Sequence, residues 1–123
     1  MPAITRVPSE LPFPFSKAVH AGGFIFLSGQ IPIDHEGKPV RGPIADQARL
    51  VLDSIAATLK ECGAGLEDVV RVTVWLSDLA LFAEFNQVYR EYFPPSALPA
   101  RSTVSAALAF DSDIEIEVTA YRP

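Results

Sequence analysis

Cysteine and histidine are scarce in this sequence of 123 residues, which has one cysteine and two histidines. Because Cys62 is alone, one chain can form neither an internal disulfide nor a metal site built from cysteines. A transition-metal site on His20 or His35 would need carboxylates and residues of neighbouring subunits to complete its ligands. We therefore predict no metal site, and we assign Cys62 to the filling of the core.

Positive charge and long apolar runs are also lacking. The ten lysines and arginines are scattered, fifteen acidic residues outnumber them, and the net charge is −5. Neutralising phosphates needs clustered basic side chains, so we expect no nucleic-acid partner. No segment approaches the roughly 20 apolar residues that span a bilayer, and the first residues lack a hydrophobic signal core. We expect a cytoplasmic protein without a membrane partner.

The common sequence signatures of catalysis are absent as well. The chain has no glycine-rich nucleotide-binding loop, no Gly-x-Ser-x-Gly nucleophile motif and no His-Glu-x-x-His metal-binding helix. Any chemistry must therefore rest on residues outside these motifs.

Hydrophobic periodicity and turn residues predict one domain over residues 1–123. Four of the eleven prolines lie in the first twenty residues, which predicts a packed, irregular arm there. The remaining elements are predicted as a strand over 24–28 with Ser28 at its end, a helix over 43–62, a strand over 69–76, a helix that Asp78 caps and that ends near Phe93, and two strands over 100–108 and 113–121.

Both predicted helices have one apolar stripe to bury, and they alternate with strands along the chain. This order indicates an α+β or α/β protein with both helices on one face of the sheet. The aromatic stripe of the second helix, which includes Phe82, Phe85 and Tyr89, is typical of core rather than of a binding surface. The other face of the sheet carries polar side chains such as Arg71 and Glu117, which suit a wet subunit interface. We therefore predict a homo-oligomer.

Arg101 is the most informative residue, because it lies in the most apolar stretch of the chain. A guanidinium is costly to bury alone, so an anionic partner is expected. That partner is either Glu115 or Glu117 in a structural ion pair, or the carboxylate of a small ligand bound bidentately.

Strand geometry limits the first alternative. If the last two strands form a hairpin, Arg101 faces about Ala120, and Glu115 lies roughly 17 Å away at ~3.3 Å per residue. Either these strands are not neighbours, or a subunit contact brings Glu115 of one chain towards Arg101 of another.

Six blocks of the sequence, in order and at matching spacing, resemble the RidA (YjgF) family: Pro14–Ala18, Ser28–Pro32, Asp68–Val74, Asn86–Tyr89, Pro99–Val104 and Ile114–Glu117. The resemblance implies an α+β, chorismate-mutase-like fold with one mixed sheet and two helices on one face, a homotrimer, and clefts between subunits. It also implies hydrolysis, without a cofactor, of reactive 2-imino acids and their enamine precursors to 2-keto acids and ammonia, as in a 2-iminobutanoate/2-iminopropanoate deaminase.

The site residues of the family carry over by position. Arg101 matches the arginine that binds the substrate carboxylate, and Glu115 matches the glutamate associated with the hydrolytic water. A backbone carbonyl near Thr103 is an alternative for placing that water. Ser28 and Asn86 match pocket positions.

Two pocket positions depart from the family pattern. Phe15 stands where well-studied members have tyrosine, which removes a phenol hydroxyl and favours larger, more hydrophobic imino acids. Thr103 stands where some members have cysteine, so thiol chemistry does not carry over.

Two alternative functions remain open. The first is a trimeric protein that binds small carboxylated metabolites without turnover. The second, which follows older family descriptions, is an endoribonuclease or translation inhibitor, and the acidic net charge disfavours it.

Overall fold

A six-stranded mixed sheet forms one layer of the protein, and two α-helices cover one of its faces. The computed structural model describes residues 3–123. The strands and helices are β1 (Ile4–Pro8), β2 (Ser16–Ala21), β3 (Phe24–Leu27), α1 (Ile44–Glu61), β4 (Val69–Leu76), α2 (Phe82–Tyr92), β5 (Ala100–Ser105) and β6 (Ile114–Tyr121). This architecture confirms the predicted fold class, an α+β fold with both helices on one face.

The strand order is β1-β2-β3-β6-β4-β5. Every neighbouring pair is antiparallel except β4 and β5, which are parallel and are connected through α2. Strand β6 therefore lies in the middle of the sheet between β3 and β4, and β5 is an edge strand. The last two strands of the chain are not neighbours, so the hairpin that would join them does not form.

The prediction of an irregular N-terminal arm is wrong, because β1 and β2 pair within the first 21 residues. The prolines are accommodated around this ladder. Pro8 ends the edge strand β1, where the register shifts, and Pro12 and Pro14 lie in the segment that joins the two strands. An edge strand tolerates a residue without an N–H, since its outer side has no partner.

Helix α1 begins and ends where the sequence predicts. Pro43 precedes its first turn, and Gly63 follows its last with a φ of 79°. That left-handed glycine lets the Ala64 N–H donate to the carbonyl of Leu59 at 2.9 Å, which satisfies a free helix-end acceptor. The second helix differs in detail: the Asp78 carboxylate accepts from the Ala80 N–H and caps a short 3₁₀ turn, after which α2 starts at Phe82.

The core lies between the helices and the sheet. Side chains of α1, the inward-facing positions of β4 and β6, and Phe85 and Phe93 are fully buried there. Cys62 packs against this core as a half-buried side chain. No helix among residues 3–123 has the length and apolar character needed to cross a membrane.

The opposite face of the sheet, which we call the bare face, has no covering layer in one chain. Arg71 and Glu117 lie on it, as predicted, together with Thr119. The exposed large apolar side chains of the bare face are Ile4, Phe24, Phe26, Val70, Val104 and Tyr121.

Candidate functional site

The guanidinium of Arg101 lies against one face of α2. Its Nη2 donates to the Asn86 side-chain oxygen at 2.8 Å, and its Cζ lies 4.6 Å from the centre of the Tyr89 ring. The rings of Phe82 and Phe85 are 5.6 and 5.5 Å away. These contacts hold the cation by cation–π attraction, which strengthens as water is excluded.

Arg101 has no anionic partner within the part of the chain that the structure describes. Six ion pairs of lysine or arginine occur among residues 3–123, and Arg101 is in none of them. The bond to Asn86 uses one of the five N–H groups of the guanidinium. The remaining donors are therefore available for a planar anion such as a carboxylate.

An open pocket of about 280 Å³ adjoins this arginine. Besides Arg101 and Asn86, it is lined by Tyr89, Arg90, Leu98 and Pro99. This volume suits a small molecule, and its lining combines apolar surface with a few polar groups, as ligand sites commonly do.

Two buried hydroxyl groups near Arg101 have no hydrogen-bond partner among residues 3–123, those of Tyr89 and Thr103. Thr103 is two residues after Arg101 on β5, so both side chains point to the helix-covered face. Burial raises the pKa of Tyr89 to about 12, and the positive charge of Arg101 acts in the opposite direction. The phenol therefore stays protonated at neutral pH and is a potential donor.

A second cluster forms around Glu115 at the start of β6. Gly29 leaves room for this side chain, because a Cβ at Gly29 would overlap the Glu115 carboxylate. The neighbouring Ser28 donates from its hydroxyl to the carbonyl oxygen of Ser16 at 2.5 Å, which ties the end of β3 to the residue that follows Phe15. Burial, and to a smaller extent the nearby Glu117, raises the pKa of Glu115.

The two clusters lie on opposite faces of the sheet. Arg101 is paired with Val72 of β4, and Glu115 is paired with Trp75 of the same strand. Directly paired residues point to the same side of a sheet, whereas residues three apart along a strand point to opposite sides. One chain therefore does not bring Arg101 and Glu115 together. The sequence left two alternatives open, that the last two strands are not neighbours or that a subunit contact brings Glu115 towards Arg101 of another chain. The structure shows that the last two strands, β5 and β6, are not neighbours.

Comparison with known proteins identifies relatives over almost the whole chain. The sequence model of the family described as Endoribonuclease L-PSP matches residues 9–122. A RutC family protein of Pyrococcus abyssi is 50% identical over 111 residues, which are 89% of this chain and 87% of that protein. The chain belongs to the RidA (YjgF) family.

Solved structures of Rid proteins have the same fold. The Rid family protein YyfA of Yersinia pestis superposes with a TM-score of 0.86 at 36% identity, over 94% of this chain and 93% of that one. E. coli TdcF with bound serine gives a TM-score of 0.84 at 34% identity, over 96% and 94% of the two chains. The region matched by the family model contains both clusters of this RidA chain, with Arg101 in one and Glu115 in the other.

The predicted site residues thus fall into two groups. Arg101, Asn86 and Thr103 lie together between β5 and α2. Ser28 and Glu115 lie on either side of Gly29 where β3 ends and β6 begins, and Phe15 is joined to them only through Ser16, whose carbonyl accepts from the Ser28 hydroxyl. The His, Cys, Asp and Glu side chains of residues 3–123 nowhere form a group of three that could hold a metal ion.

Sequence reasoning missed the aromatic residues that hold Arg101. Tyr89 and Phe85 are buried, as predicted for core, but their rings also surround the guanidinium, and Phe82 is 40% exposed. A signal was present in the spacing, because Phe82, Phe85 and Tyr89 share one helix face with Asn86, a residue already assigned to the pocket.

Proposed function

We propose that this RidA protein hydrolyses reactive 2-imino acids, and the enamines that give rise to them, to 2-keto acids and ammonia without a cofactor. The observation that carries the proposal is the guanidinium of Arg101, which Asn86 and three aromatic rings hold beside an open pocket and which no carboxylate of residues 3–123 neutralises. A fixed, unneutralised arginine suits a small carboxylated substrate.

The chemistry needs little beyond orientation. Arg101 binds the substrate carboxylate, which places the electrophilic imine carbon in the pocket. Water attacks that carbon while Glu115 takes its proton. Glu115 returns this proton to the nitrogen, which gives a tetrahedral carbinolamine. It then takes the proton of the new hydroxyl group and passes it to the departing nitrogen as the carbon–oxygen double bond forms and the carbon–nitrogen bond breaks, and the products are the 2-keto acid and ammonia. The raised pKa of Glu115 makes it a stronger base than an ordinary glutamate.

We further propose that the site forms between the subunits of a homotrimer. Arg101 and Glu115 lie on opposite faces of the sheet in one chain, so a second chain has to supply the other cluster. The aromatic side chains of the bare face, including Phe24, Phe26 and Tyr121, would be covered in such an assembly. A mass near 40 kDa, three times the 13.3 kDa of one chain, is the expected result of analytical ultracentrifugation. A monomer at assay concentration would contradict the shared site.

The activity test generates imines with an amino-acid oxidase and measures their loss and the formation of keto acid and ammonia. Wild-type protein is expected to speed imine loss above the rate in buffer. If it does not, the deaminase proposal is wrong.

The second candidate is a binding protein for carboxylated metabolites. Phe15 supports it, since this position lacks the tyrosine hydroxyl of well-studied relatives, and the bound serine of TdcF shows that a similar fold holds an amino acid. Calorimetric binding of a 2-keto acid, without imine turnover, would select this function. Salt-sensitive binding and cleavage of RNA would instead support the endoribonuclease activity in the family description. The net charge of −5 disfavours that activity, because binding RNA needs clustered basic side chains.

A further inference from the structure

Three exposed phenylalanine rings form a continuous surface next to the Glu115 cluster. Phe13 stacks on Phe15, with ring centres 6.3 Å apart and an angle of 16° between the planes. Phe110 packs against Phe13 at 5.9 Å and 53°. The three residues are 43%, 44% and 52% exposed, so a large part of each ring contacts neither core nor loop. We call Phe13, Phe15 and Phe110 the aromatic wall.

The wall continues from the candidate site. Phe15 directly precedes Ser16, whose carbonyl accepts from the Ser28 hydroxyl, and Gly29 follows as the residue that makes room for Glu115. Phe110 comes from the other side, on the segment that leads into β6. Two separate parts of the chain thus place their rings at the same end of the sheet.

Arg41 fixes the position of Phe110. Its guanidinium donates to the carbonyl oxygens of Phe110, at 2.9 Å, and Asp111, at 2.7 Å. These two residues have φ values of 57° and 55°, in the left-handed region that non-glycine residues rarely occupy. The Phe110 ring packs on Phe13 and is 52% exposed, and backbone strain of this kind persists only where surrounding contacts hold it.

We propose that the aromatic wall receives the substrate side chain, so that this protein prefers 2-imino acids with an aromatic side chain over those with a methyl group. Phe13 and Phe110 are the new specificity-determining residues, and Arg41 is a positioning residue that acts through Phe110. The inference rests on the proposed function, because the carboxylate is taken to be at Arg101 and the imine carbon near Glu115. Ring-to-ring contacts and burial of the phenyl group supply the discrimination.

The test compares kcat/KM for the imines made from phenylalanine and from alanine. Wild type is expected to favour the phenylalanine imine by roughly tenfold or more. Phe110→Ala and Arg41→Met should each lower this preference by roughly tenfold, because kcat/KM for the phenylalanine imine falls more than kcat/KM for the alanine imine. Loss of structure alone would lower both rates together. The control Arg49→Met, matched to Arg41→Met, removes an exposed arginine that pairs with Glu91 on the helix surface, and it should leave the preference unaltered.

The outcomes separate this inference from the proposed function. Turnover of both imines without a preference, or a preference that Phe110→Ala leaves intact, overturns the aromatic wall and keeps the deaminase. If neither imine is hydrolysed, the test compares the dissociation constants of phenylpyruvate and pyruvate, measured by calorimetry. These 2-keto acids retain the carboxylate and the side chain of the two imines. Tighter phenylpyruvate binding that Phe110→Ala abolishes supports the wall, and equal binding refutes it.

Discussion

Replacing Arg101 by alanine tests the central feature of the site. In the structure this guanidinium has one neutral acceptor, Asn86, and lies over the rings of α2. If a substrate carboxylate takes the free donors, the alanine variant leaves that carboxylate without a partner in the pocket. The variant therefore loses stabilisation of the transition state as well as affinity for the substrate.

The expected magnitude follows from charge-assisted hydrogen bonding. Removing one partner of a well-shielded ion pair costs about 2 to 5 kcal/mol. The pocket beside Arg101 is open, so a value near the low end, about 3 kcal/mol, is appropriate; at about 1.36 kcal/mol per factor of ten, kcat/KM falls roughly 150-fold. Arg101→Lys keeps the charge but loses the planar fork, and an intermediate loss of roughly tenfold is expected.

The assay follows loss of oxidase-generated imine at several substrate concentrations, with thermal unfolding of each variant as a check on folding. Arg49→Ala is the matched control, because Arg49 is 44% exposed by its side chain and pairs with Glu91 on the helix surface. Its kcat/KM should stay near wild type. Equal rates for wild type and Arg101→Ala would refute the assignment of Arg101 to the substrate carboxylate.

Three further predictions follow from the second cluster and from the buried polar network at the start of β6. Gly29→Ala should displace the Glu115 carboxylate and lower kcat by roughly 10- to 100-fold with little change in melting temperature. When Glu115→Gln is already present, adding Gly29→Ala should lower kcat no further. Because the pKa of Glu115 is raised in the folded state, its deprotonation lowers the free energy of unfolding as pH rises through that pKa. Glu115→Gln should therefore have a higher melting temperature than wild type at pH 7 and the same melting temperature as wild type below about pH 4. A lower melting temperature for the variant at pH 7 would contradict the assigned burial. Gln47→Leu removes buried donors to the Gly42 carbonyl and to Asp113, so urea unfolding at pH 7 should show a loss of ~1–3 kcal/mol. The pKa of Asp113 is lowered first by the bond from Gln47, so this difference should shrink as acid protonates the carboxylate, and a constant difference down to low pH would count against it.

Local patterns were sufficient to predict both helices and most strands. The stripe of α1 and its flanking Pro43 and Gly63 lie within a few residues of one another, and periodic burial and capping depend only on such neighbours. The same reasoning failed for the first twenty residues. Their prolines favour loop in isolation, but pairing between β1 and β2 leaves Pro8 at an edge, where it costs no ladder bond.

The candidate site was predicted residue by residue, but its arrangement was not. Arg101, Glu115 and Asn86 were identified from an unusual charge and from the family pattern. Their grouping depends on register: only the pairing of Val72 with Arg101 and of Trp75 with Glu115 shows that the two charged residues face opposite ways. The role of Tyr89 was missed because burial in the core and contact with a guanidinium produce the same apolar spacing in the sequence.

Side-chain chemistry and short-range spacing in the sequence were enough to predict two helices on one face of a sheet, the helix ends, and the resemblance to a family with an arginine in an apolar strand. Three features became visible in the three-dimensional fold alone: the position of β6 between β3 and β4, the placement of Arg101 and Glu115 on separate faces, and the bond from Arg41 to the Phe110 carbonyl beside the contact of Phe110 with Phe13. These features join residues far apart in the sequence: Arg41 and Asp111 are 70 positions apart, and the contacts of Phe13 with Phe110 and of Phe24 with Tyr121 span still longer stretches of chain. Such contacts form only when the whole sheet and its core pack together, because their free energy offsets the entropy of closing long loops only in the assembled fold.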